Sequence, residues 1–287
     1  MLNLSEITVN IPTLNEEKNI AKCVKSIRDA GVKKIIVVDG GSSDKTKSLL
    51  KRLKVNYYST YFKGLAYQRN LAIKKTETKY VAIINADENV LKNTFKIMLD
   101  ELQNAPNKCA GIQAIVKSKK NNRNYFENAF QTLAEINLNK KSKRDMIGSP
   151  TLWKTSIIKN NNWDPFFSGP SDDTDLCYRL SKKGYFFLGS NAIVKCSHRS
   201  NFFEYIKKFL WYGKGDAQFI KKHPERFFKI IIHQLYNYPL KFSFKAIINL
   251  KIIYVPFFVI LGYTRFFGMI LFTIQNLLNI KEKIERT

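Results

Sequence analysis

Cysteine is scarce in this chain, and the four present (Cys23, Cys109, Cys177 and Cys196 in 287 residues) lie scattered. No Cys-x-x-Cys pair occurs and no close spacing suits a metal, so the thiols read as buried or incidental in a reducing compartment. Histidine is scarcer, with three residues. A secretory leader is lacking as well: Met1–Glu6 is short, has no basic start and runs straight into a strand, which places the first domain in the cytosol. Acids are in deficit, with 23 Asp plus Glu against 48 Lys plus Arg. The formal charge of +25 attracts polyanions, whether nucleic acid, an anionic membrane face or phosphorylated substrates. Charge alone does not choose among them.

Aromatic residues are plentiful, with 21 Phe, 14 Tyr and 3 Trp, so the chain is no disordered polyelectrolyte. Its length allows one large domain or two small ones with a substantial core. The stretch Ile35–Thr46, IIVVDGGSSDKT, organises the first part. Four β-branched residues make a strand buried on both faces, and the run stops at Asp39. A carboxylate at the carboxyl end of such a strand sits where open α/β sheets bind ligands. Gly40 and Gly41 permit a sharp turn, and Ser43 or Asp44 caps a helix through Lys47–Lys54.

The same layout recurs nearby. Ile7–Ile11 is strand-like and ends in Pro12, Thr13, Leu14, Asn15 and Glu16, with Asn15 a natural N-cap for a helix running to Gly31. Val55–Tyr58 is a third short strand. Gly64–Lys75 reads as a helix with Gln68, Arg69 and Asn70 on a polar face, and Tyr80–Ile84 is a strand ending in Asn85, Ala86, Asp87 and Glu88. A helix over Lys92–Leu102 follows. Strands alternating with helices imply parallel β-α-β units. That topology puts Thr13, Asn15, Asp39 and Asp87 on one edge of one sheet.

The middle is less regular. Ala110–Val116 reads as a strand, and basic clusters at Lys117–Arg123 and Lys140–Arg144 flank an amphipathic helix with Phe126, Phe130, Leu133 and Ile136. Ile147–Trp153 reads as a short strand carrying Gly148 and Ser149 into the cleft. An aromatic, turn-rich loop over Trp163–Pro170 leads into Asp172, Asp173 and Asp175 at a helix start. Capping needs one or two of these acids, and adjacent acids repel, so the third invites a functional account. Ala192–Cys196 is a last strand, closed by Ser197 and His198. An amphipathic helix over Phe202–Ile220 is interrupted around Gly213 and Gly215. Ile252–Leu278 carries one charge, Arg265, over a length that could span a bilayer. Arg265 at its middle is costly unless it snorkels, pairs or marks a break, so two interfacial helices broken near Gly262–Arg265 fit equally. Lysines flank the segment, with Lys241, Lys245 and Lys251 before it and Lys281, Lys283 and Arg286 after.

Five motifs in order, IPTLNEEKNI, VVDGGSSDKT, KGLAYQRNLAI, the Asn85-Ala86-Asp87 turn and DDTDLCYRL with a following strand and His198, resemble the inverting glycosyltransferases of family 2 over residues 6 to 200. The resemblance implies an α/β, GT-A type fold: a mostly parallel sheet flanked by helices, with a Rossmann-like nucleotide-binding half. It divides the chain into a domain over 1–200 (nucleotide-sugar half 1–104, acceptor half 105–200), an amphipathic helix over 201–227 and an apolar, membrane-associated helical region over 228–287. It further implies a nucleotide-diphosphate sugar donor and Mn²⁺ or Mg²⁺. By position, Pro12, Thr13, Asn15 and Glu16 would line the nucleoside pocket and Asp39 would accept from the base. Arg69 and Ala86 would sit on the donor side, near the diphosphate in the case of Arg69.

Asp87 matches the last acid of the family's Asp-x-Asp metal motif, with Asn85 replacing the first, and His198 matches a further metal ligand. An imidazole suits Mn²⁺ better than Mg²⁺. Asp173 aligns with the general base, Asp172 is the next choice, and Gly148, Ser149, Asp172 and Asp175 fall on the acceptor side. Processive synthases of the family carry Gln-x-x-Arg-Trp on a later helix. Here Lys207–Trp211 has Leu210 where the Arg belongs, which implies addition of a single sugar. The expected acceptor is a lipid-linked or surface glycan at the cytoplasmic face of a membrane whose anionic surface meets the basic clusters. A polyprenyl phosphate is the alternative acceptor. A basic membrane- or nucleic-acid-binding module without catalysis is a third reading, but it leaves Asp39, Asp87 and Asp172–Asp175 unexplained, and no nucleic acid is expected because acids at the ligand edge would repel a polyanion.

Overall fold

The computed structural model describes residues 2–60, 64–137, 142–167 and 170–278. Lys140 and Lys141 of the second basic cluster, Ser168 and Gly169 of the aromatic loop, and Lys281, Lys283 and Arg286 of the tail lie outside the described residues. The chain divides into two compact units. The first comprises Met1–Lys119, Asn139–Phe166 and Asp173–Ser197; the second comprises Lys120–Leu138, Phe167–Asp172 and His198–Thr287. The boundary expected at residue 200 is thus crossed by two earlier segments.

The first unit is built on a sheet of nine strands among the described residues: β1 (Ile7–Thr13), β2 (Lys34–Asp39), β3 (Asn56–Ser59), β4 (Tyr80–Ile83), β5 (Glu88–Val90), β6 (Cys109–Ser118), β7 (Lys143–Arg144), β8 (Thr151–Lys154) and β9 (Phe186–Cys196). Their order is β3-β2-β1-β4-β8-β6-β9-β5, with β7 beside β9. The first four run parallel, as the alternating pattern predicts. The rest of the sheet departs from it, since β8 is antiparallel to β4 and β6, and β5 is antiparallel to β9, while β6 and β9 are parallel. This mixing matters for the site. An antiparallel β8 begins where β4 ends, with Thr151 opposite Ile83, so Gly148 and Ser149 arrive at the same edge as Asp87.

Helices α1 (Ile20–Asp29), α2 (Thr46–Arg52), α3 (Leu65–Lys74) and α4 (Thr94–Gln103) alternate with the parallel strands. Both faces of the sheet are covered, which is why β1, β2 and β4 are buried along almost their whole length, with Asn10 of β1 bonded to Thr76. On one face Ile20, Val24 and Ile27 of α1 join Phe95, Met98 and Leu102 of α4. On the other, Ala66 and Ile73 of α3 pack with Trp153, Trp163, Leu176 and Leu180. The cap expected at Asn15 is absent: α1 starts five residues later, and Asn15 takes a left-handed conformation with φ of 55°.

In the second unit α5 (Tyr125–Asn137), preceding α6 (Thr155–Lys159) and α7 (Asp172–Lys182) in the chain, packs with α8 (Phe202–Lys222), α9 (Phe227–Ile232), a π-helical stretch over His233–Phe242, α10 (Ser243–Ile248) and α11 (Val255–Leu277). Ala129, Leu133, Tyr205, Phe209, Tyr238 and Phe257 form its core. One expectation and one of two alternatives fail here. α8 is one continuous helix through Gly213 and Gly215, and α11 is unbroken through Gly262–Arg265.

Candidate active site

The loops after β1 and β2 are tied into one body. Thr13 stands opposite Asp39, and Asp39 opposite Ser59, so three strand ends align. Asp39 is fully buried. Its carboxylate accepts from Gly41 N (3.1 Å), from Ser42 N (3.1 and 3.3 Å) and from Ser42 Oγ (2.5 Å), and Lys47 Nζ lies 3.7 Å away. Gly41, at φ of +96°, supplies the left-handed turn that bends these amides back onto the acid. Asn15 bridges the loops: its N donates to Ser42 Oγ (2.9 Å) and its Oδ1 accepts from Ser43 N (2.9 Å). Glu16 N donates to Thr46 Oγ1 (2.8 Å), and Asp44 accepts from Glu17 N (3.1 Å) and Thr46 N (2.9 Å). Pro12 and Thr13 are buried. The Thr13 hydroxyl has no hydrogen-bond partner among the described residues.

The end of β4 holds a second acidic turn. Asp87 is half-buried and Glu88 buried. Glu88 Oε2 accepts from Asn85 N (2.8 Å) and lies 2.8 Å from Ser149 Oγ, which is also 3.1 Å from Ile83 O. Burial, reinforced by the Asp87 charge, pushes the Glu88 carboxyl up to about 8. The proton count agrees, because one Ser149 hydroxyl hydrogen cannot serve both Ile83 O and an ionised Glu88. Lys119 Nζ donates to Asp87 O (2.7 Å) and Cys196 Sγ to Asp87 Oδ2 (3.5 Å). Burial pushes the Cys23 and Cys196 thiols up, with Glu88 and Asp87 adding to it. Both therefore stay protonated.

The three acids of α7 separate. Asp175 is buried and accepts from Arg179 Nε at 2.7 Å, a pairing within the helix. Asp172 is buried and belongs to the second unit. Asp173 is the most exposed of the three. Its Oδ1 accepts from Arg69 Nη1 (2.9 Å) and Trp163 Nε1 (2.8 Å). Its Oδ2 faces Gly148, where an added Cβ would stand 3.1 Å away. Contacts therefore run unbroken from Asp173 through Gly148 and Ser149 to the Asp87–Glu88 turn.

Family comparison follows this geometry. The sequence model of Glycosyl transferase family 2 matches residues 8–160, more than half of the chain. The chain belongs to Glycosyl transferase family 2. Its GT-A fold is shared with glucosyl-3-phosphoglycerate synthase from Mycobacterium tuberculosis, solved with Mn²⁺, UDP-glucose and phosphoglyceric acid (TM-score 0.55, 16% identity, 75% of this chain and 78% of that one). Among family relatives, the Campylobacter jejuni GalNAc(5)-diNAcBac-PP-undecaprenol β-1,3-glucosyltransferase is 22% identical over 64% of this chain and 62% of its own length. The Methanococcus voltae dolichyl N-acetyl-α-D-glucosaminyl phosphate 3-β-D-2,3-diacetamido-2,3-dideoxy-β-D-glucuronosyltransferase is 24% identical over 75% and 74%. Staphylococcus aureus TarS, a poly(ribitol-phosphate) β-N-acetylglucosaminyltransferase, is 26% identical over 55% of this chain but 29% of its own. The match thus spans less than two thirds of the Campylobacter enzyme and of TarS.

Within this family-2 domain the structure brings Thr13, Asn15, Glu16, Asp39, Asp87, Ser149, Gly148, Arg69 and Asp173 to one edge of the first unit. Ala86 is buried in the core beneath them. His198 lies in the second unit. There Gln131 donates to Glu135 Oε1 (2.9 Å), so its Oε1 accepts from His198 Nε2 (2.8 Å), leaving Nδ1 as the lone-pair nitrogen. Burial, with Lys208 and Arg123 adding to it, lowers His198 to about 4. Sequence reasoning missed Glu88 and Lys119, and it misplaced the face of α3. Gln68 and Arg69 are 6% and 3% exposed. Gln68 Nε2 donates to Thr13 O (2.7 Å) and Val38 O (3.0 Å). Asn70 exchanges two hydrogen bonds with the Trp163 backbone, at 2.7 and 3.0 Å. Three consecutive polar residues thus join the β1 and β2 ends to the Asp173 loop.

Proposed function

We propose that the chain transfers one sugar from a nucleoside-diphosphate sugar to a hydroxyl of a lipid-linked or surface glycan, with inversion, at the cytoplasmic face of a membrane. The observation that carries this reading is the placement of the Asp39 loop, the Asp87 turn and Asp173 along one edge, linked by Gln68, Arg69 and Ser149. The relatives named for undecaprenol- and dolichyl-linked acceptors support a lipid-linked one here.

Asp39 acts first as the organiser of the donor loop, since its oxygens already accept loop amides, and the loop edge it fixes meets the nucleoside beside Thr13 and Asn15. Asp173 takes the proton from the acceptor hydroxyl as that oxygen attacks the anomeric carbon opposite the departing diphosphate. Arg69 and Trp163 position that carboxylate through Oδ1, with Oδ2 on the side of Gly148.

The residues at the Asp87 turn fit a divalent cation of one kind. Among the described residues no three His, Cys, Asp or Glu side chains gather into a metal cage. Asn85 and Glu88 are bonded to each other, which leaves Asp87 as the carboxylate for a hard cation. That donor set suits Mg²⁺ or Mn²⁺ drawing most of its ligands from substrate phosphates and water. Bound there, such a cation neutralises the leaving diphosphate.

A phosphate acceptor is the second reading, favoured by the engagement of Asp173 Oδ1 with a buried arginine, because a phosphate oxygen needs no base. The reaction class is tested by thermal stabilisation with UDP- and GDP-sugars, with and without Mn²⁺. Stabilisation of about 2.7 kcal/mol is expected at a hundredfold excess over Kd. Asp87→Ala should lose its Mn²⁺-dependent part. If no nucleotide sugar raises the melting temperature, the donor site is misassigned.

A further inference from the structure

Ile252–Leu277, 26 residues with mean hydropathy 1.8 in its most apolar 18-residue window, is long and apolar enough to cross a membrane. Its setting within the second unit argues against crossing. Arg265 of α11 donates from Nε and Nη2 to Asp216 of α8 at 2.5 and 2.7 Å, and Gln234 adds a third bond to the same carboxylate at 2.7 Å. The helices meet backbone to backbone: a Cβ on Gly268 would stand 2.5 Å from Leu210 O, and one on Gly213 would overlap the α11 backbone. α8 carries Glu204, Lys207, Lys208, Lys214, Asp216, Lys221 and Lys222. A helix so charged does not enter hydrocarbon, and α11 is locked along it.

The opposite face of α11 is bare. Ile260, Phe267, Leu271 and Ile274 are 40–56% exposed in one stripe. The run before it exposes Phe228, Phe244, Ile248 and Leu250, at 64–90%. α9 and α11 share an apolar groove of about 680 Å³, lined by Phe227, Phe228, Phe266, Ile274 and Leu277, with Lys221 its one charged residue. From Phe227 to Leu278 there is no Asp or Glu, while Lys229, Lys241, Lys245 and Lys251 punctuate the segment. Apolar side chains with lysines and no acids complement an anionic lipid surface.

We propose that the second unit docks in the plane of an anionic bilayer: the α11 stripe and the groove take acyl chains of one leaflet, the lysines meet the headgroups, and α11 lies along the interface instead of crossing it. This does not depend on which sugar is moved, and vesicle binding reads it apart from catalysis. The full chain, diluted from detergent, is floated with vesicles of phosphatidylglycerol and phosphatidylcholine or of phosphatidylcholine alone. Binding is expected to the former only, and to fall with salt. Lys221→Glu, Lys241→Glu and Lys251→Glu together should weaken it by about a hundredfold or more. Phe228→Asn with Leu271→Asn should weaken it by about tenfold or more. These side chains are exposed, so both variants should keep the parent melting temperature.

Fluorophores at positions 260 and 271, read against depth-graded lipid quenchers, should report similar shallow depths. A span would separate them by about 16 Å. Depths that far apart overturn the in-plane placement. Equal, salt-independent binding to neutral vesicles overturns the electrostatic match. A soluble dimer that ignores vesicles would show that a second copy covers the face, and would overturn docking altogether.

Discussion

Asp173→Asn separates chemistry from architecture more cleanly than any other change at this site. Asp173 Oδ1 accepts from Arg69 and Trp163, and an asparagine can present its amide oxygen at that position with the NH₂ turned toward Gly148. Both hydrogen bonds survive. What is lost is the negative charge beside a guanidinium whose side chain is 3% exposed, and the capacity to take a proton. A charged hydrogen bond is worth about 1.5–3 kcal/mol and a neutral one about 0.5–1.5, so the fold should lose about 1–2 kcal/mol. At roughly 2–4 °C per kcal/mol, that lowers the melting temperature by a few degrees. Transfer should fall by about 10²–10⁴-fold with donor affinity unchanged.

Asp173→Ala is the contrast. It leaves the buried Arg69 without that carboxylate, a loss of about 3–5 kcal/mol, and should melt well below the asparagine variant. Transfer is followed as radiolabelled sugar moving from the donor into a lipid extract, and donor binding by calorimetry. If Asp173→Asn folds, binds donor and transfers near the parent rate, the base assignment is wrong and the phosphate-acceptor reading takes its place.

Gln68→Leu should weaken donor binding and lower stability by about 2–4 kcal/mol, because Thr13 O and Val38 O lose a buried donor at the strand ends. Unchanged calorimetric affinity and melting temperature would show that α3 does not hold the loops. Glu88 predicts an alkaline slope. In the fold it keeps its proton to about 8, against an ordinary 4.5, so folded protein binds the extra proton between those values and stability drops as pH rises. The slope can reach about 1.4 kcal/mol per pH unit. His198, held neutral to about 4, acts oppositely and only below its ordinary 6.5, where the unfolded chain gains a proton that the fold refuses. Between pH 6.5 and 8 the melting temperature should therefore fall, and Glu88→Gln should flatten the trend. An undiminished slope in that variant would place the titrating group elsewhere.

The parallel half was legible because β1, β2 and β4 are buried on both faces, and Ile35–Val38 and Tyr80–Ile84 spell that out in apolar runs that end in polar residues. The two shortest strands, β5 and β7, escaped notice. β5 is three residues, Glu88–Val90, and its pairing to β9 comes from residues about a hundred positions away. Asn15 fits cap statistics, yet Ser42 and Ser43 on another loop claim it, and no local signal announces a partner 27 residues on. The same holds for Gln68, Arg69 and Asn70. Three polar residues in a row on a helix usually face water; here each has a partner at a distance of 30 to 104 residues. Gly213 and Gly215 are helix breakers by propensity alone, but packing overrides propensity when only a glycine lets two backbones meet.

The buried and half-buried acids differ in what holds them. Asp39, Asp173 and Asp216 are all acids that composition alone cannot distinguish, in a chain with few acids to spare. The structure gives each a different counterpart: loop amides for Asp39, a buried arginine and an indole for Asp173, and the arginine of an apolar helix for Asp216. An acid satisfied by amides of its own loop shapes that loop and has little left for chemistry. An acid held by a buried arginine and an indole, with its other oxygen beside a glycine, is fixed in place at the site edge. An acid gripped by both oxygens inside a helical bundle does neither, and serves to fix the register of α8 against α11. Of the three, Asp173 is the one that Arg69 and Trp163 hold beside Gly148 at the edge shared with Ser149 and Asp87, and the asparagine variant tests the proposal that this placement makes it the base.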